Sequence, residues 1–214
     1  MIIAISGMIG AGKSTLSKKL ASSFKNSIVL EEFGENDEIF NTYLKWIYKK
    51  KPNIDISFQA YIIEYLSDFF KKSKENWLLK NEGNKGFIFL DRFNLEHYIF
   101  AKVTLKKKEN KYFEAFEALF NEIIEYDDIP DIAYFLDIDW FNFKKRIFKR
   151  GREVEIKNFQ ENETYFQDLL NCYKSEFILL MKKYNINYKI INTNNLTDFE
   201  VFEIVKNDIK NTII

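Results

Sequence analysis

Ile2-Ile3-Ala4-Ile5-Ser6-Gly7-Met8-Ile9-Gly10-Ala11-Gly12-Lys13-Ser14-Thr15 is the stretch that decides the fold. Apolar and small residues run straight into a glycine-rich turn, and a helical pattern of Leu16, Leu20, Ala21 and Phe24 starts directly after Lys13 and Ser14. This is G-x-x-x-x-G-K-S with the preceding strand and following helix that the motif requires. Gly7, Gly10 and Gly12 let the backbone take φ values that side chains penalise. They also let backbone N–H groups converge on phosphate oxygens, beside the positive end of the following helix. Lys13 adds a point charge for the outer phosphates, and the Ser14 hydroxyl is a candidate Mg²⁺ ligand. Residues Gly7, Met8, Ile9, Gly10, Ala11, Gly12, Lys13, Ser14 and Thr15 are therefore the candidate ATP-binding segment.

The chain has 214 residues, of which 46% are hydrophobic and 17% aromatic, enough for one domain with a large core. Lys+Arg 32 balances Asp+Glu 32, so no general basic field favours a nucleic-acid polymer. A single cysteine, Cys172, makes neither a disulfide framework nor a zinc site. It fits a reducing cytoplasm and a small core position. The apolar start is cut by the glycine loop and is too short for a signal-peptide core or a membrane span.

Apolar runs ending in polar residues mark the remaining strands: 27–31, 87–90, 132–136 and 188–191. Helical periodicity covers residues 36–50, 55–79, a segment through His97-Tyr98-Ile99-Phe100-Ala101, 112–126, 140–150, 158–184 and 198–209. Continuous apolar strands alternating with helices predict a five-stranded parallel sheet covered on both faces. Ligands of such sheets sit beyond the carboxyl ends of the strands. That rule gathers the phosphate loop, Glu31, Asp91-Arg92 and Asp137 on one rim of a single domain spanning 1–214. The apolar surplus between residues 92 and 126 (Phe113, Phe116, Leu119, Phe120, Ile123, Ile124) predicts a helix that is buried or paired with a second copy.

The motif identifies a nucleoside triphosphate and leaves the reaction open. No N-K-x-D guanine motif is present. Glu31, ending a buried strand beside the loop, is the candidate general base. Glu32 would point the other way if the pleat persists. Asp91 is a candidate Mg²⁺ ligand and Arg92 a candidate contact to the reacting oxygen. Arg146, Arg150 and Arg152, with Gly151 as hinge, form a candidate arginine lid over about 149–158. Taken alone, those arginines could also be a basic helix C-terminus complementing its dipole.

The phosphate loop, Glu31, the Phe58-Gln59 pair, Asp91-Arg92 with Tyr98-Ile99-Phe100-Ala101, and Arg150-Gly151-Arg152 follow the order and approximate spacing of one family. The chain resembles the deoxyribonucleoside kinases, in particular bacterial members of the group with deoxyadenosine, deoxyguanosine and deoxycytidine kinases. The resemblance implies a P-loop NTPase fold with an arginine-rich lid, and ATP·Mg²⁺-dependent 5′-phosphorylation of a deoxynucleoside, deoxyadenosine first. It also implies a homodimer. Position by position, it implies Glu31 as base for the 5′-hydroxyl, Gln59 on the nucleobase edge, Phe58 lining the base slot, and Tyr48 with Glu155 on the 3′-hydroxyl. Asp91 would serve Mg²⁺ and Arg92 the 5′-oxygen. Arg146 would stack on the donor adenine, Arg150 and Arg152 would grip phosphates, and Asp198-Phe199 would lie near the donor base.

The chain departs from the pattern at Phe93, where a serine is usual, and in Glu64-Tyr65-Leu66-Ser67-Asp68, where many members carry an arginine. Both departures fall where the base is read, with Glu96 or His97 as a candidate substitute. Two alternatives stand beside the leading reading: a thymidylate kinase-like enzyme and an NTP-binding protein without turnover. No arginine lies between Pro52 and Leu79, which favours an uncharged acceptor.

Overall fold

The computed structural model describes residues 1–32, 37–81, 86–126, 129–152, 156 and 158–213. In chain order the elements are β1 (Ile2–Gly7), α1 (Lys13–Ser23), β2 (Ile28–Glu31), α2 (Glu38–Tyr48), α3 (Asp55–Lys80), β3 (Ile88–Asp91), α4 (Asn94–Leu105), α5 (Asn110–Ile123), β4 (Ile132–Asp137), α6 (Trp140–Arg150), α7 (Phe159–Lys183), β5 (Asn187–Asn192) and α8 (Asp198–Ile213).

The strands form one sheet in the order β2-β3-β1-β4-β5, and every neighbouring pair is parallel. The five-stranded parallel sheet read from the apolar runs is thus the observed one. β1 lies at its centre because Ile3, Ala4 and Ile5 are fully buried and suit a strand covered on both faces. Parallel strands need helical crossovers. Here α1 packs against α8, while α4 packs against α3, α5 and α7.

Register places the functional ends together. Ile5 and Glu31 both lie opposite Asp91, and Gly7 lies opposite Leu136. The last pairing explains one glycine. A Cβ on Gly7 would stand 2.7 Å from the Leu136 carbonyl oxygen, and the backbone there has φ +138°. Only glycine fits that approach without displacing β4.

The apolar surplus near residues 92–126 divides between two helices. α4 is buried through Leu95, Ile99, Ala101 and Leu105, and Phe116 and Phe120 of α5 are fully buried within the chain. Leu119 is 39% exposed. Cys172 is half-buried on α7 and donates its thiol to the Leu169 carbonyl at 3.5 Å. Burial, the largest cause, pushes its pKa up, so the thiol behaves as the small hydrophobe expected of it.

Candidate active site

The phosphate loop closes over its own lysine. Gly12, with φ +102°, immediately precedes α1. The buried Lys13 ammonium donates to the carbonyls of Gly7 at 2.9 Å and Met8 at 3.1 Å. Burial, reinforced by the nearby Arg92 charge, pulls its pKa down to about 8. Asp91, Glu96 and Glu32 act in the opposite direction.

Asp91 ends β3 and is buried. Burial raises its carboxyl above the usual range, while Lys13 and a hydrogen bond with the Ser14 hydroxyl pull it back. A hydroxyl and a buried carboxylate coupled across the loop are hard oxygen donors of the kind Mg²⁺ takes. The described residues contain no cluster of three or more His, Cys, Asp or Glu side chains able to hold a metal alone. Ser14 and Asp91 would therefore share such an ion with phosphate oxygens.

Arg92 is the strained residue of the rim. It has φ +68°, and its N–H donates to the Ile5 carbonyl at 3.1 Å, tying the chain to the central strand as β3 gives way to α4. Its guanidinium lies 4.4 Å over the Phe100 ring, and Nε approaches Glu32 Oε2 at 3.3 Å. A left-handed non-glycine residue costs of order 1–3 kcal/mol and often marks a functional site.

The two adjacent glutamates separate. Glu31 turns to solvent and pairs with Lys18 at 2.9 Å, its side chain 47% exposed. Glu32 turns inward, with Oε2 beside Arg92 and Oε1 3.3 Å from His97 Nε2. Glu31 was the expected base; of the two glutamates, Glu32 is the one that approaches Arg92 and His97. The strand ends at Glu31, and the inward carboxylate is the one just beyond it.

A cleft lies beside this carboxylate, bordered by Glu31, Glu32, Leu66, Phe70, Arg92 and Asn94, among others. Buried polar atoms without hydrogen-bond partners concentrate nearby: Arg92 Nε, Asn94 Oδ1 and both ring nitrogens of His97, together with Gln59 Oε1 on α3 and Ser6 Oγ on β1. Unpartnered buried polar groups are costly, so their clustering points to a ligand site.

A carboxylate that no motif announced lies beneath the loop. Glu96 is fully buried. It accepts from the Gly7 N–H at 3.1 Å, the Tyr173 hydroxyl at 2.6 Å and the Phe93 N–H at 3.4 Å. Burial raises its pKa, while Arg92 and Lys13 hold it down. The signal available in the sequence was the one acid of α4, placed next to Leu95 and three residues before Ile99.

The deoxynucleoside kinase family model matches residues 3–214. A Bacillus subtilis deoxyadenosine/deoxycytidine kinase is 31% identical over 180 residues, covering 81% of this chain and 75% of its own. The chain belongs to the deoxynucleoside kinase family. A Dictyostelium discoideum deoxyguanosine kinase is 27% identical over 212 residues, covering 98% of this chain and 69% of its own. Among solved structures, a deoxyadenosine kinase from M. mycoides with products bound shares the fold at TM-score 0.79 and 24% identity, over 99% of this chain and 100% of that one.

The kinase's remaining predicted residues are dispersed more widely. Arg146 is engaged by its own fold: it donates to the Ala11 carbonyl at 3.0 Å, the Thr193 hydroxyl at 3.2 Å and the Thr193 carbonyl at 2.6 Å. It clamps the phosphate loop to the end of β5 through the edge of its guanidinium. Arg150 and Arg152 are exposed on either side of Gly151, which ends α6 at φ +75°. Glu155 and the middle of the anticipated lid lie outside the described residues.

Phe58 packs with Ile62 and Leu66 in a small satellite core, 5.2 Å from the Tyr43 ring. Gln59 is 3% exposed and does not border the cleft. Tyr48 ends α2 and packs against the main core. The structure thus assembles Lys13, Ser14, Asp91, Arg92 and Glu32 on one rim, while Tyr48 stands at the end of α2 and Phe58 in the satellite core. Asp198 pairs with Lys19, and Phe199 is 61% exposed.

Proposed function

We propose that this kinase transfers the γ-phosphoryl group of ATP to the 5′-hydroxyl of a deoxynucleoside, with purine deoxynucleosides preferred and deoxyadenosine first. The observation that carries the reading is the inward carboxylate of Glu32, held beside Arg92 on the same rim as Lys13, Ser14 and Asp91. In this scheme the acceptor oxygen attacks phosphorus as the bond from phosphorus to the β,γ-bridging oxygen breaks and ADP departs. The hydroxyl proton passes to Glu32, and Arg92 lies against the developing charge. Mg²⁺, held by Ser14 and Asp91, would neutralise phosphate charge when bound. Lys13 would exchange its loop carbonyls for phosphate oxygens, and Arg150 and Arg152 would approach the phosphates from α6. Gln59, with its unpartnered Oε1, is the proposed reader of the base edge, with Tyr48 and Glu155 near the 3′-hydroxyl.

The absence of arginine between Pro52 and Leu79 supports an uncharged acceptor over a nucleoside monophosphate. No helix among the described residues is long and apolar enough to cross a membrane. We further propose a cytoplasmic homodimer, which light scattering would test. The deciding experiment measures ADP release with ATP·Mg²⁺ and each of the four deoxynucleosides, and with dTMP. The reading expects turnover with deoxyadenosine above the rest. Turnover with dTMP alone would replace it by the monophosphate-kinase reading, and no turnover with any acceptor by that of a binding protein.

A further inference from the structure

His97 is buried in the second turn of α4, 2% exposed, where a structural role would need only an apolar ring. Its ring rests on Phe100, centroids 5.7 Å apart at 30°, on the same Phe100 ring that carries the Arg92 guanidinium at 4.4 Å. One aromatic platform therefore supports two nitrogen donors. Arg92 Nε reaches Glu32 Oε2 and His97 Nε2 reaches Glu32 Oε1, each at 3.3 Å. Neither approach has the alignment of a finished hydrogen bond. Such contacts around a general base commonly tighten when substrate is bound.

The chemistry of the pair sets the tautomer. A carboxylate oxygen only accepts, so the imidazole nitrogen facing it must carry the proton, leaving the Nδ1 lone pair free. Burial, reinforced by the charges of Arg92 and Lys13, keeps the ring's pKa well below its ordinary value. A neutral imidazole of that kind donates to Glu32 without competing for the substrate proton. The groups facing it are Glu32, Arg92 and Phe100, with the Lys13 charge nearby.

We propose that His97 is a positioning residue for phosphoryl transfer: its Nε2–H fixes one oxygen of Glu32 while Arg92 fixes the other, holding the base in a single orientation toward the acceptor hydroxyl. This rests on the reading of Glu32 as base. A carboxylate gripped on one side only would rotate, and an error of about 1 Å in a reacting group can cost about a hundredfold in rate.

The test is steady-state kinetics of the full chain with ATP·Mg²⁺ and the wild type's best deoxynucleoside. His97→Phe keeps a ring on Phe100 and removes the donor. It should lower kcat about 10- to 100-fold with both KM values within about threefold, because the interaction matters in the transition state and not in binding. His97→Gln, which returns an N–H near the Nε2 position, should recover kcat to within about fivefold of wild type. In a Glu32→Gln background His97→Phe should cause no further loss, as residues acting through one another are non-additive.

A kcat within about threefold of wild type for His97→Phe would overturn the assignment. So would a loss appearing in the nucleoside KM, or one that persists undiminished in the Glu32→Gln background. If His97→Phe does not fold, His97→Asn, whose shorter amide withdraws the donor, takes its place against His97→Gln. A wild-type chain that phosphorylates no deoxynucleoside overturns the acceptor reading and this assignment together. An active wild type with additive losses overturns this assignment alone.

Discussion

The backbone N–H of Gly7 donates to the carboxylate of Glu96 at 3.1 Å, joining the first turn of the phosphate loop to a helix that begins eighty-seven residues later. The same oxygen accepts from Tyr173 of α7. One buried carboxylate thus ties together the loop, α4 and α7. Glu96→Gln keeps the volume but turns an amide N–H toward groups that are themselves donors. We expect a loss of about 1–3 kcal/mol from the unsatisfied donor. Tyr173→Phe should cost less, about 1 kcal/mol, because Gly7 and Phe93 still donate to the acid. Urea unfolding of both variants checks the order. An unchanged midpoint for Glu96→Gln would show that the carboxylate does not hold the loop.

Glu32 and Glu31 offer an internal control, since they are neighbours with opposite orientations. Glu32→Gln should reduce kcat by about 10²- to 10⁴-fold, the span usual for loss of a general base. Glu31→Gln removes only an exposed pair with Lys18, and surface pairs of this kind contribute about 0–1 kcal/mol. Its kcat should stay within about threefold of wild type. ADP release under saturating ATP and nucleoside separates the two, and the reverse ranking would restore Glu31 as the base.

This pair also shows where reading from sequence stops. The loop, the five strands and the rim on which Asp91 and Arg92 stand were legible because each rests on local pattern: apolar runs, glycine placement and the strand-to-helix junction. Glu31 was chosen because it closes the apolar run. The side that a carboxylate faces beyond the last strand residue depends on what surrounds it, here Lys18 for Glu31, and Arg92 and His97 for Glu32. The contacts of Arg146 were not legible for a similar reason. Its spacing from Arg150 marks a helix face, but the nearness of Thr193 and Ala11 arises only when β5 folds beside β4. Glu96 was read as a candidate for the nucleobase site, and its place beneath the loop was not legible because no phosphate-loop motif includes an acid from a helix so distant in sequence.

Two glycines outside the phosphate loop separate steric from conformational cost. A Cβ on Gly86 would lie 2.1 Å from the Asn26 carbonyl oxygen, with φ at +154°. A Cβ on Gly151 would meet nothing within 4 Å, although φ is +75°. Gly151→Ala should therefore cost about 1–2 kcal/mol, the price of left-handed backbone alone. Gly86→Ala should exceed about 3 kcal/mol, because backbone must move against backbone. Equal urea midpoints for the two variants would contradict the close approach of Gly86 to Asn26.

Asp208 gives the fold a defined acid dependence away from the site. Its carboxylate accepts from the fully buried Tyr134 at 2.7 Å and pairs with Lys189, fastening α8 to β4 and β5. Partial burial pushes its pKa up, but the bonds from Lys189 and Tyr134 outweigh that and leave it below the ordinary value of 3.8. A depressed folded pKa means that the native state binds fewer protons than the unfolded chain in this range. The stabilisation is therefore complete above the unfolded value and is lost as pH falls through the folded one. Asp208→Asn keeps an acceptor for Tyr134 and removes the charge. If the charge contributes about 1 kcal/mol, Tm at pH 6 falls by about 2–4 °C for a chain of this size. The gap between wild type and variant should narrow steadily as pH is lowered from 5 toward 3, because protonated wild-type Asp208 then resembles the variant. A gap that stays constant or widens over that range would show that the ionised carboxylate is not what fastens α8.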